Sequence, residues 1–160
     1  MLLTDTHTHQ YYEKDLDKRA AQMQRCFENG VKRLFLPNVD VASIAMIDEM
    51  TKTYPENCFA MAGLHPCDVK EGYQDVLAEI YQSIAGRKIY AIGEIGIDLY
   101  WDKTTLAIQQ DAFKQQIEWA KQLDLPFVIH CREAFDEVFE VLEACRHDKM
   151  RGIFHCFTGD

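Results

Sequence analysis

The chain has 160 residues, 48% of them apolar, with 8 Gly and 4 Pro, which is the composition of a folded protein and excludes a disordered or low-complexity one. That length supports one domain with a substantial core. Acidic residues outnumber basic ones by 26 to 17, and the net charge of -9 excludes broad binding to a phosphate backbone, so any nucleic-acid contact has to be local.

The first predicted strand begins at Leu2-Leu3. Leu16, Ala20, Met23 and Phe27 then recur at helical spacing and predict a helix with one inward face, stopped by Asn29-Gly30. Val31 to Pro37 reads as a second buried strand. Asp40 caps a helix that carries Val41, Ile44 and Ile47 inward and ends before Pro55. A third strand is expected at Cys58 to Leu64, followed by a helix marked by Val76, Leu77, Ile80 and Ile84 and closed by Gly86. Ile89 to Ile92 is the fourth strand, and Leu106, Phe113, Ile117 and Ala120 mark a longer fourth helix. Pro126 to Ile129 is the fifth strand; Phe135, Val138, Phe139 and Leu142 mark the fifth helix, and Gly152 to Phe157 the sixth strand.

Strands that alternate strictly with helices pair in parallel, because each crossover returns the chain to the same end of the sheet. Strand starts near residues 2, 31, 58, 89, 126 and 152 set a repeat of about 30 residues, so eight units need about 240, close to a (β/α)8 barrel. An open, doubly wound sheet of six strands fits the same spacing. Periodicity alone leaves both open.

His7 and His9 follow the first strand at i and i+2, so a strand that persisted would point both imidazoles to one face. Glu94 reads as a loop acid just past the fourth strand, with Gly93 and Gly96 freeing the backbone around it. His130 and His155 each follow an apolar run. These five residues therefore gather at the C-terminal ends of strands one, four, five and six, the rim where parallel α/β folds build active sites. Imidazole and carboxylate together suit Zn²⁺, Mn²⁺ or Fe²⁺, and five ligands exceed what one catalytic zinc takes from protein, so two ions bridged by Glu94 would use them all.

His65 ends the third strand on the same rim, where it either binds substrate or orders its own loop. Arg132, just after His130, suits phosphate because a guanidinium grips it in a forked geometry. Cys131 and Cys156 each neighbour a ligand histidine, and strand alternation would turn both toward the helical layer as small buried residues. His147 reads as solvated surface; Asp48 and Glu49, like Glu137 and Glu140, read as wet helix faces. The six cysteines form no CxxC pair, the N-terminus shows no signal-peptide pattern and no apolar run is long enough for a membrane helix. A cytoplasmic location, reduced thiols and no membrane partner are the expectations.

Asp5-Thr6-His7-Thr8-His9, Gly63-Leu64-His65-Pro66, Gly93-Glu94-Ile95-Gly96-Ile97-Asp98, Arg132-Glu133-Ala134 and His155-Cys156-Phe157-Thr158-Gly159, in that order, resemble the TatD-type metal-dependent deoxyribonucleases over the whole chain. The resemblance implies the amidohydrolase-like TIM-type (β/α)8 barrel, and with it His7 and His9 on a first ion, Glu94 as bridge, and His130 and His155 on a second. It implies two divalent cations (Zn, Mg or Mn), cleavage of phosphodiester bonds, and DNA ends as substrate.

That family carries a further aspartate, in a Glu-Thr-Asp motif after the eighth strand, that completes the first metal site; no such motif occurs here and Asp160 is not expected to replace it, so no catalytic base is assigned. The expectation is a single metal-dependent hydrolase domain over 1–160, a barrel truncated to about six β/α units, inactive alone. Its exposed sheet edges would favour self-association. The wider amidohydrolase group offers amide or ester hydrolysis as an alternative, although Glu94 stands where many of those enzymes use a carboxylated lysine. A non-catalytic metal-binding fragment is the third possibility.

Overall fold

The computed structural model describes residues 1–157; Thr158, Gly159 and Asp160, and with them the end of the last motif and the expectation placed on Asp160, lie outside the described residues. Strands β1 (Leu3–Asp5), β2 (Val31–Leu36), β3 (Cys58–Ala62), β4 (Ile89–Asp98), β5 (Phe127–Arg132) and β6 (Gly152–Phe154) alternate with helices α1 (Leu16–Glu28), α2 (Val41–Thr53), α3 (Tyr73–Ile84), α4 (Leu106–Leu123) and α5 (Phe135–Ala144). All neighbouring strands pair in parallel, in the order β1-β2-β3-β4-β5-β6. A doubly wound sheet reverses its strand order at a switch point. This one never does, and it curls as six consecutive units of a TIM-type barrel with β1 and β6 at its edges.

The helices bury their apolar stripes on the outer face of the sheet. Leu34, Leu36, Cys58 and Ala60 pack with Met23, Ile47 and Met50, while Ile92, Ile95, Phe127 and Ile129 pack with Phe113 and Val138. Strand alternation sends Met61, Ala91 and Val128 to the opposite, concave face, where Phe35 joins them. Asp40 caps α2 as expected: its carboxylate accepts from Ser43 N at 2.7 Å, and Ser43 Oγ accepts from Asp40 N at 3.1 Å, a reciprocal pair of a kind worth about 1 kcal/mol.

Three expectations need correction. The apolar face of α1 is narrower than its spacing predicts. Leu16 is 62% exposed and Ala20 is exposed, because α1 packs on β2 through Met23 and Phe27 while Arg19 is buried in an ion pair with Glu49. Asp48 and Glu49 are accordingly not a free wet face; Asp48 also pairs with Arg87 at 2.7 Å, clamping α2 to the segment after α3. On α5, Phe139 is half exposed and Val141 takes the buried position, because the ring leans toward Phe154 of β6 instead of into the core, with centroids 5.8 Å apart.

Candidate metal centre

Glu94 lies inside β4, not in a loop after it. β4 runs ten residues and is buried along most of its length, and an irregularity in its pairing with β5 between Ile92 and Ile95 re-aims the chain where Glu94 occurs. The flanking glycines permit this. A side chain at Gly96 (φ 140°) would overlap the His130 carbonyl oxygen, and one at Gly93 would crowd Val128, so both mark close approach of β5 to β4.

The two carboxylate oxygens of Glu94, itself 3% exposed, face different partners. Oε2 lies 3.1 Å from His7 Nε2 and 3.8 Å from His9 Nε2. Oε1 lies 2.9 Å from His130 Nδ1 and 3.7 Å from His65 Nε2. Two groups of donors result, His7-His9-Glu94 and His65-Glu94-His130, each with its donor atoms within 4.8 Å of one another. β1 ends at Asp5, so His7 and His9 are brought together by the following turn and not by strand alternation. Among the described residues His155 belongs to neither group; its ring stacks on His7 with centroids 3.4 Å apart and planes 8° apart. It still walls the same cleft of about 490 Å³, together with His9, His65, Glu94, His130 and Arg132. Cys131 is partly buried against the core as alternation requires, but Cys156 is exposed in a turn beyond β6, where alternation no longer applies.

Hydrogen bonding assigns the imidazole protons. Tyr11 donates its one hydroxyl proton to Pro37 O at 2.6 Å, so the contact of 2.7 Å with His9 Nδ1 requires that nitrogen to donate, and Nε2 of the neutral ring presents a lone pair to His7 and Glu94. His65 Nδ1 accepts from Cys67 N at 3.1 Å, which leaves the proton of the neutral ring on Nε2, facing Glu94 and His130. Burial pushes the His65 pKa down to about 4, in keeping with a neutral donor. His130 Nε2 donates to Asp98 Oδ2 at 2.8 Å, so Nδ1 faces Glu94.

Charge follows from the same contacts. Burial opposes ionisation of Glu94, but hydrogen bonds from His130 and His7 outweigh it and hold the carboxyl well below its ordinary range. Burial disfavours a charged His130, yet its bonds to Glu94 and Asp98 raise its pKa above 6.5. His7 Nε2 and His9 Nε2 stand 3.2 Å apart over one carboxylate oxygen, and His7 Nδ1 is buried with no partner among the described residues. One shared proton cannot satisfy both Nε2 atoms and the Glu94 oxygen, whereas a cation would accept a lone pair from each of these three, so the residues present fit a divalent metal.

Supporting residues that the sequence did not single out hold this centre. Asn38, at the end of β2, accepts from Gly63 N at 3.2 Å through Oδ1, and its backbone exchanges hydrogen bonds with Gly93 O at 3.0 Å and Glu94 N at 2.9 Å. Gln116 of α4 accepts from Leu64 N at 2.6 Å, steadying the turn before His65, and Gln109 of the same helix accepts from Asp98 N at 2.8 Å. Both glutamines fall within the stripe Ala112, Phe113, Ile117 and Ala120, and a polar residue inside an apolar stripe is the signal that could have found them. Arg132 ends β5 with its guanidinium carbon 3.6 Å from the centroid of the Tyr100 ring.

A family model described as TatD related DNase matches residues 4–160. The chain is 35% identical over 161 residues to YabD, an uncharacterized metal-dependent hydrolase of Bacillus subtilis, covering 99% of this chain and 62% of that protein. It is 32% identical over 153 residues to a protein of Citrobacter rodentium named 3'-5' ssDNA/RNA exonuclease TatD, covering 95% of this chain and 56% of that one. Among solved structures, the TatD homologue YJJV of Escherichia coli superposes with a TM-score of 0.88 at 28% identity, over 99% of this chain and 61% of that chain. A TatD family hydrolase from Entamoeba histolytica, at 22% identity and a TM-score of 0.77, shares the fold over 99% of this chain and 59% of that chain. The chain thus spans about three-fifths of the length of the relatives it matches.

Proposed function

This chain belongs to the TatD related DNase family, and we propose on that footing that it is part of a divalent-metal-dependent phosphodiesterase that trims nucleic acid, DNA foremost, from its ends. The observation that carries the reading is the division of Glu94, with Oε2 turned to His7 and His9 and Oε1 to His130 and His65. In this reading His7, His9 and Glu94 would hold one cation, Glu94, His130 and His155 a second, and residues 1–160 belong to a single metal-dependent hydrolase domain. Bound there, divalent cations (Zn, Mg or Mn) would supply Lewis acidity that brings the pKa of a water toward neutrality and draws charge from phosphoryl oxygens.

The chain's own residues divide the remaining work. Asp98 fixes the His130 ring and makes its Nδ1 more basic. His65 keeps a proton on Nε2 at neutral pH and donates it as a hydrogen bond to a phosphate oxygen seated beside Glu94. Arg132, with no ion pair or hydrogen bond from its guanidinium among the described residues, offers its N–H edges to the next phosphate.

The test is metal uptake by equilibrium dialysis, paired with hydrolysis of end-labelled single strands in added cation or chelator. Wild type should take up two equivalents of Zn²⁺ or Mn²⁺, Glu94→Ala should lose both, and His65→Ala should keep both. Unchanged uptake in Glu94→Ala removes the shared bridge, and hydrolysis that persists in excess chelator removes the mechanism.

A further inference from the structure

Beside the metal cleft the rim carries an aromatic pair for which the metal centre has no use. Tyr100 and Trp101 follow β4 after Leu99, with their rings edge to face at 90° and centroids 4.7 Å apart. Trp101 is 73% exposed, one of the largest apolar groups the chain leaves in water. The turn that presents it is held at both ends. Tyr100 N donates to Asp98 Oδ1 at 3.0 Å, Thr104 donates twice to Asp102 Oδ1, at 2.8 and 2.6 Å, and Gln109 donates to Thr105 Oγ1 at 2.8 Å. The Arg132 guanidinium covers Tyr100 and lies 5.6 Å from the Trp101 centroid while also walling the metal cleft. On its other side Trp101 borders a second recess of about 230 Å³, where Lys70, Asp102 and Thr105 offer polar atoms and Asp98 is a wall.

An exposed indole on a pinned turn, its ring centroid 5.6 Å from a guanidinium that suits phosphate, is the composition of a stacking platform for single-stranded nucleic acid. We propose, resting on the phosphodiesterase reading of the cleft, that Trp101 stacks the base of the second nucleoside from the scissile phosphate while Arg132 holds the phosphate that joins the first nucleoside to the second. Stacking needs a base freed from its duplex neighbours, and every base has a π-face, so the platform selects unpaired strands without selecting sequence. Trp101 is a binding residue in this scheme, not a catalytic one.

The experiment compares two probes of equal length and charge, a labelled oligothymidylate and an abasic phosphodiester strand, by stopped-flow anisotropy in Mn²⁺ before hydrolysis proceeds. Trp101→Ala should weaken oligothymidylate binding about tenfold and Trp101→Phe by no more than about threefold, with either change on the abasic strand below about twofold. Because Trp119, the other tryptophan, is only 9% exposed, oligothymidylate and not the abasic strand should quench the solvent-exposed emission of the unmodified protein, a readout independent of any variant. Equal losses on both probes, or none, overturn the platform. A wild-type protein that binds both probes equally tightly overturns the platform alone, and one that binds neither overturns the phosphodiesterase reading with it.

Discussion

Asp98 Oδ2 receives the Nε2 proton of His130 at 2.8 Å, so a buried carboxylate on β4 fixes how a ring on β5 turns its other nitrogen toward Glu94. A carboxylate behind a ligating histidine commonly changes metal affinity by about 10–100-fold. Asp98→Ala should therefore lower affinity at the second metal position by about that factor and leave the His7-His9 position within about threefold, as read by competition with a chromogenic chelator. Equal weakening of both positions would contradict the local role.

Stability of the metal-free protein should depend on pH in a defined window. His130 has a raised folded pKa, so its contribution is full below 6.5 and is lost as the pH rises through the elevated value. Glu94 has a depressed folded pKa, so its contribution is full above 4.5 and is lost as the pH falls through the lowered value. His65, His9 and His155 have lowered folded pKa values, so the stability that goes with their neutral burial is full above 6.5 and is lost as the pH falls, for His65 down to about 4. Thermal melts in chelator should therefore peak near pH 6.5 and fall on both sides. Added metal should move the optimum upward, because ligation removes the proton from His130. A metal-free optimum above pH 8 would refute the assignment.

Tyr11→Phe tests the proton assignment at His9. It strands Pro37 O and His9 Nδ1, at a cost of about 1–3 kcal/mol for a buried group left unpaired. The ring is then free to take either tautomer, so uptake at the first position should weaken while the second holds. Chemical denaturation and dialysis read the two effects separately.

Gln116→Ala removes both partners of the Leu64 backbone, whose N–H and C=O lie 2.6 and 3.3 Å from the side-chain amide. The loss should be about 2 kcal/mol, lowering Tm by about 4–8 °C in a domain of this size. Gln116→Glu keeps the acceptor for Leu64 N and should recover part of it. A melting point unchanged by Gln116→Ala would show that water or a repacked neighbour replaces the amide.

Much of this was legible in the chain. Alternating apolar runs and amphipathic stripes located six strands and five helices among the described residues. The histidines and Glu94 were singled out because the sequence set them after predicted strands, although Glu94 proves to lie within one. The length of β4 was not, because glycine on both sides of an acid looks like a loop until the close approach of β5 explains it. His7 and His9 were paired for the wrong local reason: the chain turns after Asp5, and it is Glu94, 85 to 87 positions away, that gives the two rings a common target. Asp98 stood inside a recognised motif without a role, since nothing local reveals that its partner is His130 on the next strand. Gln109 and Gln116 were read past because a helical glutamine is ordinarily solvated, and only the stripe they interrupt argues otherwise.

A sheet laid down in chain order never has to open a finished pair of strands to admit a later one. Each unit docks on the one made just before it, about 30 residues back, so during synthesis the structure can grow from its first strand outward as the polypeptide leaves the ribosome. The centre follows the same schedule. His7 and His9 emerge first and wait for β4 to bring Glu94, and only with β5 does His130 close the other side. Until then the two imidazoles lack their common carboxylate, and the nascent chain gains that ligand and the middle of its sheet in a single addition.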